Sequence, residues 1–120
     1  MQVTEIITND KLRETRMHGS PEFHFEYYLD DIHKYDKHYI EWHWHTELEF
    51  LYVQQGTVEC LIGSERILLP AGHGMMINSK VIHRFESVSG ALMPNILFLP
   101  DFIAPKNSAI FTEYVAPIVN

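Results

Sequence analysis

Between residues 41 and 50 the chain reads EWHWHTELEF, and three of these side chains, His43, His45 and Glu49, are good donors for a divalent metal ion. Successive residues of a strand point to opposite faces, so His43 and His45 share one face and Trp42 and Trp44 the other. Two imidazoles one residue apart on a strand can point at a single ion. Glu49 returns to the same side if the chain turns a corner near Thr46 and Glu47 and enters an adjacent strand. A third imidazole, His83, follows the turn Pro70-Ala71-Gly72. Shut away without partners, such groups would cost roughly several kcal/mol per buried ion even after relaxation. They need a metal, a ligand, each other or water. Histidine must be neutral to bind metal and its unperturbed pKa is about 6.5, so occupancy would depend on pH.

Positioning these groups falls to a chain patterned almost throughout with period two. In FHFEYYL, residues 23–29, Phe23, Phe25, Tyr27 and Leu29 lie on one side and His24, Glu26 and Tyr28 on the other. Strands are expected over 39–45 and 48–54, with Leu51 and Val53 following Glu49 inward and Leu48, Phe50 and Tyr52 joining the tryptophans. After a turn at Gln54-Gln55-Gly56, TVECLI alternates Val58, Cys60 and Ile62 with Thr57, Glu59 and Leu61. Gly63-Ser64 makes a two-residue hairpin loop, because glycine tolerates the positive φ such turns need. Strands at 67–69, 74–77 and 82–88 follow, and an apolar run over 91–99 carries Pro94. About eight short strands with turns every eight to twelve residues indicate an antiparallel sandwich or barrel. Residues 1–20 read as an arm, 21–104 as the barrel and 105–120 as a helical segment. In that segment Asn107 or Ser108 caps SAIFTEYVA, and Pro117 is expected to end it.

At 120 residues, 46% apolar and 21% charged, the chain has ordinary globular composition and length for one domain. Its formal charge of −7 is spread along the sequence, and no run of Lys or Arg is present to neutralise phosphates, which argues against nucleic-acid binding by these residues. One cysteine, Cys60, permits no internal disulfide and fits a reducing compartment. The N-terminus lacks the apolar core of a signal peptide, and no apolar stretch is long enough to cross a membrane. A cytoplasmic protein is the expectation.

The spacing His43-x-His45-x3-Glu49-x6-Gly56 resembles the first motif of the cupin superfamily, and Pro70-Ala71-Gly72 followed by His83 resembles the second. The resemblance implies an all-β fold, a double-stranded β-helix or jelly-roll barrel with a short C-terminal helix. It also implies that His43, His45, Glu49 and His83 stand at the metal-ligand positions, for an ion such as nickel, zinc, iron or manganese. Two positions depart from the pattern: His73 where an acidic residue often follows the glycine, and Ser87 where an asparagine is common. They leave the fold expectation intact but weaken an enzymatic one, because cupin catalysis depends on groups around the metal.

Within that superfamily, GSPEFHFEYYLDD, WHWHTELEFLYVQQGTVECLIG, LLPAGHGMMINSKVIHRF and LPDFIAPKNSAIFTEYVAPIVN together resemble the N-terminal sensor domain of AraC-type transcription regulators. The similarity runs from about Met17 to the last residue. It implies a barrel that binds a small effector, with a carbohydrate the class favoured by family habit, and a homodimer. DNA would be read by a helix-turn-helix domain that these 120 residues do not hold, so the chain is expected to be part of a longer regulator without catalytic residues. The chief alternative is a metal-dependent cupin enzyme, an oxygenase or sugar isomerase using the same four ligands. A dimerisation module without a small ligand is the third reading.

The same residues have plainer readings. His43, His45, Glu49 and His83 could form a hydrogen-bonded cluster or touch the effector directly, without an ion. Trp44 is a candidate effector contact by stacking, although alternation favours simple packing for Trp42, Trp44, Phe50 and Tyr52. His73 sits in a Gly-His-Gly turn, and His18, His24, His33 and His38 lack ligand spacing; all are expected at the surface. Cys60, between Val58 and Ile62, is expected in the core. Ile110, Phe111, Tyr114 and Val115 give the tail helix an apolar stripe, for docking on the barrel or for a partner subunit.

Overall fold

The alternating segments fold into eight strands in a computed structural model that describes residues 1–119. They are β1 (Phe25–Asp31), β2 (Ile40–His43), β3 (Leu48–Tyr52), β4 (Gln55–Ile62), β5 (Glu65–Pro70), β6 (Gly74–Ile77), β7 (His83–Glu86) and β8 (Ala91–Phe98). All pairings between these eight strands are antiparallel. One face of the barrel runs β5-β4-β7-β2 and the other β1-β8-β3-β6. The faces join where Gln55 and Gly56 pair with Leu92 and Ala91. Gly56 is obligatory at this corner: its φ is +80°, and a Cβ there would lie 2.3 Å from the Gly90 carbonyl oxygen.

Inward-pointing residues of both faces, among them Ile40, Val53, Val58, Cys60, Ile77, Phe85 and Met93, form one core. Each large apolar side chain shut away there contributes about 1.5–3 kcal/mol. Cys60 is fully buried, and burial pushes its thiol up to about 12, which makes it a packing residue.

Strict alternation fails at one informative place. Strand β2 pairs with β7 through Ile40 opposite Phe85 and His43 opposite His83, three steps on one strand against two on the other. This bulge lets Ile40 and His43 both point inward despite their odd spacing. In β1 the buried side carries Tyr28 and Asp30, whereas Tyr27 and Leu29 face out.

The tail differs from expectation. Residues 109–119 are helical, and Pro117 lies inside α1 (Ala116–Val119) instead of ending the helix. A π turn, Phe111–Val115, comes immediately before, with the Ala116 N–H bonded to the Phe111 carbonyl. That wide turn has already broken the i→i−4 ladder, so the donor that proline lacks is not missed.

The first eighteen residues lie along the barrel. Trp44 N–H donates to the Leu12 carbonyl (3.1 Å), Glu14 N–H donates to the Trp44 carbonyl (2.9 Å), and Arg13 pairs with Trp44 in a parallel bridge. Val3 and Ile6 pack against the core.

Candidate metal centre

Three segments deliver the imidazoles. His43 ends β2, His45 lies two residues on, and His83 opens β7 directly opposite His43; all three are buried. Each donates Nδ1–H to a backbone carbonyl two residues away: His43 to Glu41 (2.7 Å), His45 to Glu47 (3.0 Å) and His83 to Val81 (2.8 Å). Those bonds assign the tautomer and turn every Nε2 toward its neighbours. One ligand atom from each ring lies within 4.8 Å of the others. Backbone-anchored Nδ1–H groups of this kind are the usual orienting contacts of metal-binding histidines.

Glu49, from β3, lies beside two of these rings. Its Oε1 is 3.2 Å from His45 Nε2 and 3.4 Å from His83 Nε2. The second contact is close enough for an ion pair but lacks hydrogen-bond geometry, so His83 Nε2 is a buried nitrogen without a hydrogen-bond partner. Such an orphan is uncommon in native interiors, and a divalent ion is a partner that satisfies it. The donor set, three imidazoles and a carboxylate, fits a first-row metal.

The charges agree with that fit. Burial and the neighbouring His83 push His43 down to about 3, so its ring is neutral. Burial opposes ionisation of Glu49, but the hydrogen bond from His45 and the electrostatic influence of His83 and His45 outweigh it and hold the carboxyl below its usual range. Burial likewise disfavours charge on His45, yet Glu49 raises it above its ordinary value. A metal ion would take the place of the proton that His45 and Glu49 hold between them.

A second polar wall faces this cluster. Asp30 accepts from Tyr35 Oη (3.0 Å) and Asn95 Nδ2 (2.8 Å), and burial pushes its carboxyl up to about 7. Tyr28 Oη and His18 Nδ1 are 2.6 Å apart, and His18 Nε2 is 2.6 Å from Glu14 Oε1. Burial disfavours charge on Glu14, but His18, His43 and His45 more than compensate and lower its pKa. Between the walls lies a cavity of about 30 Å³, which His43, Glu49, Tyr28, Asp30 and Asn95 line and Val3 and Ile6 help to close. It has room for about two water molecules.

His43, His45, Glu49 and His83 are therefore brought together. Trp44 is not with them: its indole N–H donates to the Lys11 carbonyl (2.9 Å) and Arg13 stacks over its ring (5.4 Å), so it anchors the N-terminal segment on the barrel's outside. His73 and His38 are exposed, and His24 and His33 half-buried. His18 corrects the surface expectation: it is buried between Glu14 and Tyr28, because the segment that carries it folds back over the barrel mouth. Sequence reasoning also passed over Glu14, Tyr28, Asp30, Tyr35 and Asn95. The one available signal was Tyr28 and Asp30 sharing the less apolar side of β1.

Residues 31–105 match the AraC-like ligand binding domain family. The chain belongs to that family. Like its fold relatives it is a cupin barrel: a cupin-2 domain containing protein from Shewanella frigidimarina superimposes with a TM-score of 0.53 and 22% identity, over 68% of this chain and 81% of the other. Protein NMB1881 from Neisseria meningitidis gives 0.53 and 18%, over 78% and 80%. In sequence this AraC-like domain is 27% identical over 113 residues to YdeC of Bacillus subtilis, described as an uncharacterised helix-turn-helix-type transcriptional regulator. The match takes in 92% of the chain and 38% of YdeC, so the domain spans less than two-fifths of that regulator's length.

Proposed function

We propose that this AraC-like domain is the effector-sensing part of a cytoplasmic transcription regulator, and that its barrel binds a small polar molecule, with a carbohydrate the leading class. The observation that supports it best is the internal polar wall of Asp30, Tyr35, Asn95, Tyr28 and His18, which offers donors and acceptors to a ligand where a purely structural barrel would be apolar. With the N-terminal residues seated, about 30 Å³ is too little for a sugar. Binding must then compete with Val3 and Ile6 for the cavity. A ligand that binds only the open arrangement shifts the population toward it, and this is how occupancy would reach a DNA-binding domain elsewhere in a full regulator.

His43, His45, Glu49 and His83 would hold a divalent ion, nickel, zinc, iron or manganese, which would supply a Lewis-acidic anchor for ligand oxygens. Ile110, Tyr114 and Ile118, 59%, 67% and 55% exposed at four-residue spacing, form a stripe suited to a second copy, while Val115 is buried. No helix among the described residues is long and apolar enough to cross a membrane.

A metabolite panel read by thermal shift tests the sensing role. A sugar or other small polar compound should raise the melting temperature of the wild type and leave Asn95→Leu unmoved. No shift from any compound would count against it. The runner-up, a metal-dependent enzyme, draws on the same imidazoles and on Asp30 as a proton-transfer group near neutral pH. Turnover by metal-loaded protein that disappears in His45→Ala would favour that alternative.

A further inference from the structure

The N-terminal segment does more than cover the barrel. Its parallel bridge pairs Arg13 with Trp44, and paired strand residues point the same way. Arg13 and Trp44 meet outside, as their stacking contact requires. Glu14 therefore stands beside His45 and points inward with it, and both are buried. His18, one helical turn's spacing further on, holds Glu14 Oε1 at 2.6 Å and packs edge-on against the His45 ring, with centroids 5.6 Å apart. Glu14 also borders the same cavity as His43 and Glu49.

Charge gives this placement a purpose. A divalent ion held by three neutral imidazoles and the Glu49 carboxylate leaves one net positive charge in a buried site, and uncompensated buried charge is costly. A second carboxylate from Glu14 would bring the site to neutrality. The unpartnered, 1% exposed His83 marks the spot where an ion is wanted.

We propose that the N-terminal segment is part of the metal site: Glu14, oriented by His18, supplies a second carboxylate to an ion on His43, His45 and His83, so metal binding and docking of residues 1–18 are coupled. This rests on the metal reading above. Coupling is reciprocal: whatever docking adds to metal affinity, metal adds to docking.

The test pairs Ni²⁺ calorimetry with hydrogen–deuterium exchange of the same protein. Glu14→Gln, nearly isosteric, should bind Ni²⁺ at least about tenfold more weakly than wild type, since losing even an outer-shell partner typically costs about ten- to a hundredfold. In wild type, Ni²⁺ should slow exchange at the Glu14 and Thr15 amides, which bond to Trp44 and Ile7, and Glu14→Gln should lose that slowing. The exchange measurement on wild type needs no variant to fold. Unchanged affinity in Glu14→Gln, or Ni²⁺ binding without slower exchange, overturns the coupling and leaves the three-histidine site standing. Equal Ni²⁺ binding by wild type and His83→Ala overturns the metal site and the coupling with it.

Discussion

Replacing Asp30 with asparagine should change how stability depends on pH, with a sign fixed by the structure. Asp30 is buried, and its carboxyl is raised from 3.8 to about 7. Between those values the folded protein keeps a proton that the unfolded chain has lost, so this group's contribution falls as pH rises from about 4 to 7 and is flat above. A difference of about 3 pH units corresponds to about 4 kcal/mol. His43 works in the opposite direction. It falls from 6.5 to about 3, so its contribution is fully present above 6.5 and is lost as pH falls below that. In wild type the two slopes largely offset one another. Asparagine removes the first and exposes the second, while its amide keeps an acceptor for Tyr35 or Asn95. Near pH 4 the variant should be about 1 kcal/mol less stable, having lost one buried hydrogen bond. At pH 8 it should be more stable than wild type by a few kcal/mol. Glu49 and Glu14 also raise Asp30, and they move the midpoint of the change without altering its sign. Urea unfolding of both proteins from pH 4.5 to 8.5 measures the difference directly. Two curves separated by a constant offset would show that Asp30 does not change its protonation between the folded and unfolded states in this range.

Two further outcomes follow from specific contacts. Gly56→Ala places a methyl group 2.3 Å from the Gly90 carbonyl at positive φ, and should cost about 3 kcal/mol or more in thermal unfolding; a shift under one-third of that would show that the corner adjusts. Tyr114→Glu puts a charge into the exposed Ile110–Tyr114–Ile118 stripe and should convert a dimer to monomer by sedimentation, whereas a wild type that is already monomeric at high concentration would remove that role from the stripe.

Much of the barrel was legible because its signal is local. The alternation of Val58, Cys60 and Ile62, the Gly63-Ser64 hairpin and the spacing of His43, His45 and Glu49 each depend on a few neighbouring residues, and strand geometry turns them into facing directly. The β2 bulge is a different matter: nothing in IEWH announces that Ile40 and His43 will share a side. Nor did the sequence betray His18 and Glu14, whose burial comes from the chain folding back so that Arg13 pairs with the sequence-distant Trp44. Asp30 was hidden similarly, since its partners Tyr35 and Asn95 come from a turn and from β8. Pro117 misled because the stop signal of a proline presumes a regular ladder before it, and the π turn had already changed that ladder.

An ion held by His43, His45, His83 and Glu49 inside the barrel can be looked for by crystallography. Anomalous diffraction from crystals grown with Ni²⁺ or Zn²⁺ would locate it. One strong peak per chain is expected, in contact with the three Nε2 atoms. Peaks confined to the more accessible imidazoles of His24, His33, His38 or His73, with none among the buried three, would contradict it.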